Sequence, residues 1–336
     1  MFISYNSSKI FFLFILIFST FMVISSNSWL GCWIGLEMNL LSFIPLISNS
    51  NNLFSTEASL KYFLVQSIAS INFLFFILMI MIFKNLLMNS FLMVLINFTM
   101  LMKMGSVPFH FWFPNMVEGL SWFNNFILMT WQKISPMILM SYYFNMKLMI
   151  FMILMNTIIG ALGGIKQTSL RKLMAFSSIN NLGWMLVALM ISENLWLFYL
   201  FIYSFMMSIM CFLFNMMNVF FINQLFIINM NTIIKINLLI NFLSLGGLPP
   251  FLGFFPKWII INSLMNNNLI FLIFIMIMMS LIILFFYIRI IYSSIMFNYF
   301  KMKWFNFNFN GNKMLLINIF SFLSIFMMII CSFFFY

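Results

Sequence analysis

Lys103-Met-Gly-Ser-Val-Pro-Phe-His-Phe-Trp-Phe-Pro-Asn-Met-Val-Glu118 lies inside a long apolar run and is foreign to it. The stretch opens on a lysine. Gly105 and Pro108 follow, then His110, Pro114 and a closing glutamate. Proline removes a backbone donor and breaks the helical ladder. In lipid such a break persists only where protein or water re-satisfies the freed groups. A lysine beside it reads as an internal polar site and not as an interfacial anchor.

The stretch has an echo in Gly247-Leu-Pro-Pro250-Phe-Leu-Gly-Phe-Phe-Pro256-Lys257. Aligning Pro108 with Pro250 also aligns Gly105 with Gly247, Phe109 with Phe251, Phe113 with Phe255 and Pro114 with Pro256. Each copy carries a lysine, before the break in the first and after it in the second. Paired Gly/Pro-interrupted apolar segments in corresponding halves of a chain point to a transporter site.

Around these breaks the chain is 65% hydrophobic and 6% charged, with a mean hydropathy of +1.13. That excludes a soluble globular protein, in which about a quarter of residues are charged. Candidate spans fall at 10–26, 28–48, 58–83, 89–117 (interrupted), 121–143, 147–165, 172–191, 194–217, 235–265 (interrupted), 268–292 and 313–335, eleven in all. Most approach the roughly 20 residues that a bilayer needs. We therefore expect an all-α polytopic membrane protein, a single membrane domain over 1–336. Residues 220–231 are expected to lie along the surface.

The net charge of +11 comes from basic residues scattered among apolar runs. There is no basic patch to suit nucleic acid. With Lys103, Lys133 and Lys257 set aside as intramembrane, threading eleven spans puts ten basic residues on the N-terminal side, and only Lys84 and Lys147 opposite. This positive-inside bias places the N-terminus inside and the C-terminus outside. The first segment carries no arginine and no clear cleavage site, so it reads as a retained helix.

Cys32, Cys211 and Cys331 lie on three different spans, a spacing that suits neither a disulfide framework nor a metal motif. One histidine cannot supply two axial haem ligands, and a simple iron–sulfur cluster takes four cysteines. No phosphate-binding glycine loop is present. We expect no cofactor in this chain.

Four ionisable groups remain inside the membrane: Glu37, Lys103, Lys133 and Lys257. Each charge at a helix centre costs about 2.5–3.5 kcal/mol, so together they cost roughly 10–14 kcal/mol. Such groups must face the bundle interior, one another or water. Lysine suits proton relay because desolvation disfavours its charged form while a nearby carboxylate favours it. Arginine could not toggle, since it stays charged. Glu57 follows Ser55-Thr56 and is expected at a helix start; Glu118 closes the first break, and Glu193 falls in a turn. His110 either relays protons or hydrogen-bonds the broken backbone.

Several motifs look familiar: Trp29-Leu-Gly-Cys-Trp-Ile-Gly-Leu-Glu37-Met-Asn39, Lys103 with Pro-Phe-His-Phe-Trp-Phe-Pro, Trp131-Gln-Lys133-Ile-Ser-Pro136, Arg171-Lys-Leu-Met-Ala-Phe-Ser-Ser-Ile-Asn-Asn-Leu-Gly-Trp184, and Leu245-Gly-Gly-Leu-Pro-Pro-Phe-Leu-Gly-Phe-Phe-Pro-Lys257-Trp258. From about Trp29 to Ile290 the chain resembles the antiporter-like membrane subunits of respiratory complex I, in their mitochondrially encoded, insect-like form. The resemblance implies two inverted five-helix repeats, each with a broken helix. The first would take helices over about 10–143 and the second over about 147–292, with a final helix over about 313–335. The full fold has fourteen helices; a short animal form without the first three agrees with eleven spans.

By resemblance, Glu37 and Lys103 would form an ion pair on the input side, Lys133 the next relay group and Lys257 the terminal lysine. NADH, flavin, iron–sulfur clusters and ubiquinone would belong to other subunits of the complex. Partners would be the other membrane-arm subunits, neighbouring antiporter-like chains among them, and lipids such as cardiolipin. The setting would be the mitochondrial inner membrane, with the N-terminus in the matrix. Asn181 departs from the family, whose members commonly carry a histidine there. The expected function is proton translocation coupled to electron transfer elsewhere. A free-standing cation/proton antiporter and a purely structural membrane subunit are the alternatives.

Overall fold

Helices account for nearly all of the computed structural model, which describes residues 7–49, 52–82, 89–227, 232–296 and 318–325. The chain divides into two compact units, Met1–Met149 and Ile150–Tyr336. The first contains α1 (Ser7–Ser25), α2 (Trp29–Ile47), α3 (Leu53–Ile82), α4 (Asn89–Met104), α5 (Trp112–Val117), α6 (Trp122–Met129) and α7 (Ile134–Tyr142). Helix α8 (Met146–Gly164) begins at its end. The second unit holds the rest of α8, α9 (Leu170–Ile191), α10 (Glu193–Met217), α11 (Ile222–Ile227), α12 (Thr232–Gly246), α13 (Phe254–Asn266), α14 (Ile270–Met296) and α15 (318–325).

Among the described residues, seven helices are long and apolar enough to cross a membrane: α1, α2, α3, α8, α9, α10 and α14. Their outward faces carry Phe11, Phe14, Phe18 and Phe21 on α1 and Phe271, Phe274 and Phe285 on α14, all exposed. Lipid is as apolar as these side chains, so helix association must come from close packing and polar bonds. Helices α1 and α2 show the packing part. A Cβ on Gly35 would stand 2.6 Å from Val23 Cγ2 and 3.2 Å from the Ser19 carbonyl oxygen, so glycine admits the contact.

The long apolar segments at 89–117 and 235–265 are interrupted. The first becomes α4 and α5, parted at Gly105; the second becomes α12 and α13, parted at Gly247. The span expected at 121–143 is also discontinuous, contrary to the sequence reading. Helix α6 stops at Met129, a 3₁₀ turn covers Trp131–Lys133, and α7 starts at Ile134. Pro136 supplies the reason. It has no N–H for the Gln132 carbonyl and sits in the first turn of α7, where proline is tolerated.

Two smaller expectations change. Glu57 lies inside α3, which starts at Leu53, and it pairs with exposed Lys61 one turn on. Asn52, whose Oδ1 accepts from the Phe54 N–H at 3.3 Å, stands at the start instead. Glu193 opens α10, with Ser192 Oγ accepting from the Leu195 N–H at 3.3 Å. In the stretch 220–231 the described part is α11, preceded by a bridge between Ser169 and Phe221. Residues 228–231, Cys331, and all of 313–335 except 318–325 lie outside the described residues.

Candidate functional site

The last turn of α4 delivers Lys103, which is 8% exposed. Gly105 adopts φ +70°, and the N–H of Ser106 returns to the Leu101 carbonyl at 3.0 Å. Only glycine takes this left-handed turn without strain. A Cβ there would also meet the Phe113 Cβ at 2.9 Å. The Lys103 carbonyl, orphaned by the break, accepts from Gln66 Nε2 of α3 at 2.9 Å. A neutral amide thus closes this helix end.

Lys103 and Lys133 line one cavity in the first unit, of about 20 Å³, enough to seat about one water. Lys133 is 1% exposed and ends the 3₁₀ turn, its Nζ 5.7 Å from the centre of the Phe113 ring. The rest of the wall includes Asn39, Tyr62, Gln66, Trp112, Gln132 and Ser135. Gln132 Nε2 donates to Asn39 Oδ1 at 2.8 Å, tying α2 to the turn that carries Lys133. Ser135 Oγ is buried with no hydrogen-bond partner among the described residues. Buried hydroxyls ordinarily find a partner, and water fits this one.

Glu37 is half-buried on α2, two residues before Asn39, and does not line that cavity. No direct ion pair joins it to Lys103. His110 sits in the turn between α4 and α5, 7% exposed, with its ring 4.3 Å from that of Phe111. It is not part of the cavity wall either, and its Nδ1 has no hydrogen-bond partner among the described residues.

In the second unit α12 ends at Gly246, and Gly247 turns the chain with φ +82°. The Gly247 and Leu248 N–H groups both return to the Leu243 carbonyl, at 3.1 and 3.3 Å. Lys257 lies in the first turn of α13, 6% exposed. Its Nζ donates to the Gly246 carbonyl at 3.1 Å and stands 5.7 Å from the Trp184 ring centre. A second cavity, also about 20 Å³, is lined by Lys257 with Asn181, Tyr199, Tyr203, Ser244 and Pro256, among others. Asn181 Oδ1 accepts from the Tyr199 hydroxyl at 3.1 Å.

Asn39 and Gln132 were quoted in the sequence beside Glu37 and Lys133 without a role, and Gln66 and Tyr199 were not singled out. Gln66 is a polar side chain in an otherwise apolar helical run, and that is the signal that could have found it. Tyr199 carried no such signal in a chain with ten tyrosines.

The chain as a whole resembles known proteins. A family model described as NADH:quinone oxidoreductase/Mrp antiporter, TM, matches residues 26–283. NADH-ubiquinone oxidoreductase chain 2 of Anopheles gambiae is 51% identical over 320 residues, 94% of either chain. The chain 2 protein of Aedes aegypti is 50% identical over 325 residues, 95% of either chain. A chain of respiratory complex I from Thermus thermophilus superposes with a TM-score of 0.84, over 98% of this chain and 79% of that one, at 18% identity. That last likeness is one of fold.

Proposed function

Because the chain belongs to the NADH:quinone oxidoreductase/Mrp antiporter family, we propose that it is a proton-translocating membrane-arm subunit of an NADH–ubiquinone oxidoreductase. The observation that carries this reading is the placement of Lys103, Lys133 and Lys257. Each is buried, each stands at a helix discontinuity, and each lines a cavity.

That placement suits proton exchange. A broken helix leaves backbone groups that its own ladder cannot satisfy. Those groups draw polar partners or water to a depth where lipid offers none. Lys103 and the Lys257 ammonium both meet the carbonyl end of a half-helix, where a cation is favoured. Burial favours the neutral amine. The two effects oppose, so a small change in local charge decides whether the lysine holds its proton. Glu37 supplies such a charge for Lys103. Within the first unit, a proton released by Lys103 has Lys133 in the wall of the same cavity. Lys257 serves as the terminal group of the second unit. His110 stands at the first break as a further proton-handling group.

We assign electron transfer, with NADH, flavin, iron–sulfur clusters and ubiquinone, to other subunits of the complex. The chain is read as one integral membrane domain of eleven spans, the short form of a fourteen-helix fold with inverted repeats. It sits in the mitochondrial inner membrane against other membrane-arm subunits and lipids such as cardiolipin. The bias of basic residues puts the N-terminus in the matrix and the C-terminus in the intermembrane space. A protease site in the 166–172 loop should be cut from the matrix side alone; cutting from the opposite side would reverse the threading.

Proton uptake per NADH oxidised, in vesicles carrying assembled complex, tests the lysine assignment. Lys257→Met removes the exchangeable site and keeps much of the stem. Lys257→Arg keeps the charge and cannot release it. Both should impair pumping. An arginine variant that pumps like the unmodified complex would take Lys257 off the proton path.

A further inference from the structure

Lys257 shares its cavity with a hydroxyl that the relay above does not use. Tyr199 of α10 is 3% exposed and Asn181 of α9 is 7% exposed, and both line the wall with Lys257. The Tyr199 hydroxyl donates its hydrogen to Asn181 Oδ1 at 3.1 Å. Its oxygen keeps acceptor capacity. Lys257 spends one donor on the Gly246 carbonyl, and an ammonium has two more. The Ser244 hydroxyl, also in the wall, is committed to the Asn241 carbonyl at 2.7 Å. Ile202, Met206 and Pro256 carry no exchangeable hydrogen in their side chains, whereas Tyr203 brings a second hydroxyl to the wall; Tyr199 is set apart from it by the bond to Asn181, itself a wall residue. The cavity that both residues line has room for about one water.

We propose that the Tyr199 hydroxyl hands protons to Lys257 through a cavity water, with Asn181 as its positioning residue. The inference rests on the reading of Lys257 as a proton-exchanging group. In the loading step, the neutral Lys257 amine takes a proton from the cavity water. The water regains one from the Tyr199 hydroxyl, and the tyrosine oxygen takes one from an arriving hydronium. Each O–H bond broken is replaced by one formed, except at the donating hydronium, which ends as water. The phenol stays neutral and one proton moves. The hydroxyl then turns back to Asn181. An amide oxygen is too weak a base to carry the proton onward at neutral pH. It can hold the hydroxyl hydrogen away from the loaded lysine, which stops the proton running back.

The test uses assembled complex in vesicles, with rates normalised per complex, for Tyr199→Phe, Asn181→Leu, Lys257→Met and Met206→Leu. Proton translocation and its rate ratio in H₂O against D₂O are measured. Tyr199→Phe should slow translocation about tenfold and change the isotope ratio. That loss is smaller than the roughly 10²–10⁴-fold typical of a positioned proton-transfer group, because water can stand in for the missing hydroxyl. Asn181→Leu should lower protons per NADH while NADH oxidation continues, the signature of back-flow. Met206→Leu changes the wall without an exchangeable hydrogen and should leave the ratio alone. A Tyr199→Phe complex with unchanged rate and ratio overturns the inference, as does a Met206→Leu complex whose ratio shifts equally. Normal pumping by Lys257→Met sinks the underlying reading of the lysine instead, which separates the two failures.

Discussion

At the first break α4 runs into Gly105 with φ +70°, and Gln66 of α3 takes the carbonyl of Lys103; at the second, α12 runs into Gly247 with φ +82°, and Lys257 itself takes the carbonyl of Gly246. Both turns use a left-handed glycine with an N–H that bonds back five residues, from Ser106 to Leu101 and from Leu248 to Leu243. The backbone solution is the same and the cap differs. A neutral amide closes the first helix end and leaves the Lys103 ammonium to the cavity that also holds Lys133. The second helix end is closed by Lys257, the lysine proposed as the relay group. Its proton is therefore coupled to the geometry of the break, whereas that of Lys103 answers to its surroundings.

The largest expected effect comes from closing the space inside the breaks. A Cβ on Gly253 would fall 1.8 Å from the Ser244 carbonyl oxygen, a backbone atom that cannot step aside. Gly253→Ala should exceed the roughly 1–3 kcal/mol of ordinary overpacking and abolish assembly, read as loss of the chain from the intact complex on native gels. Gly105→Ala should be milder. The left-handed φ costs about 1–2 kcal/mol, and the closest approach is 2.9 Å to the Phe113 Cβ, against 1.8 Å at Gly253. Equal assembly of both variants would mean that the second break is not the more tightly packed.

Removing the neutral cap is the next test. Gln66→Leu leaves the Lys103 carbonyl without its partner, at about 1–3 kcal/mol, or nearer 1 by membrane standards. Lys103 itself lies in the last turn of that helix, so its ammonium is expected to turn to the vacated carbonyl. We expect a complex that assembles, melts a few degrees lower and pumps several-fold more slowly, because the first break now resembles the second. Unchanged pumping would show that the cap has no bearing on the availability of Lys103.

The smallest effect is expected at Glu37. It makes no direct ion pair with Lys103, so Glu37→Gln should preserve assembly and reduce pumping only in part. If pumping is untouched in a fully assembled complex, Glu37 has no part in setting the charge of Lys103. A complete loss would instead point to a direct pair in the working enzyme.

Local pattern served well where the backbone itself had to change. Gly105 with Pro108, and Gly247 with Pro249 and Pro250, announce breaks because no apolar helix accommodates them without special provision. It served poorly at Lys133. Pro136 can sit in the first turn of a helix or at a kink within one, and a single proline does not say which. Ser55-Thr56 ahead of Glu57 imitates a helix start, yet Asn52 stands at that start and Glu57 faces Lys61 in mid-helix.

The sequence by itself determined that the chain is helical and membrane-embedded, that two of its helices are broken, and that its few buried charges are the groups to watch. Hydropathy, backbone donors and the cost of charge in lipid are properties of residues and short segments, so they can be read in order along the chain. Tertiary structure alone decided which side chain closes each break and which polar groups share a cavity. Gln66 reaches a carbonyl 37 residues away, Gln132 reaches Asn39 across 93, and Tyr199 meets Asn181 from a neighbouring helix. A hydrogen bond requires its partners within about 3 Å. Which distant residues come that close is settled only when helices pack.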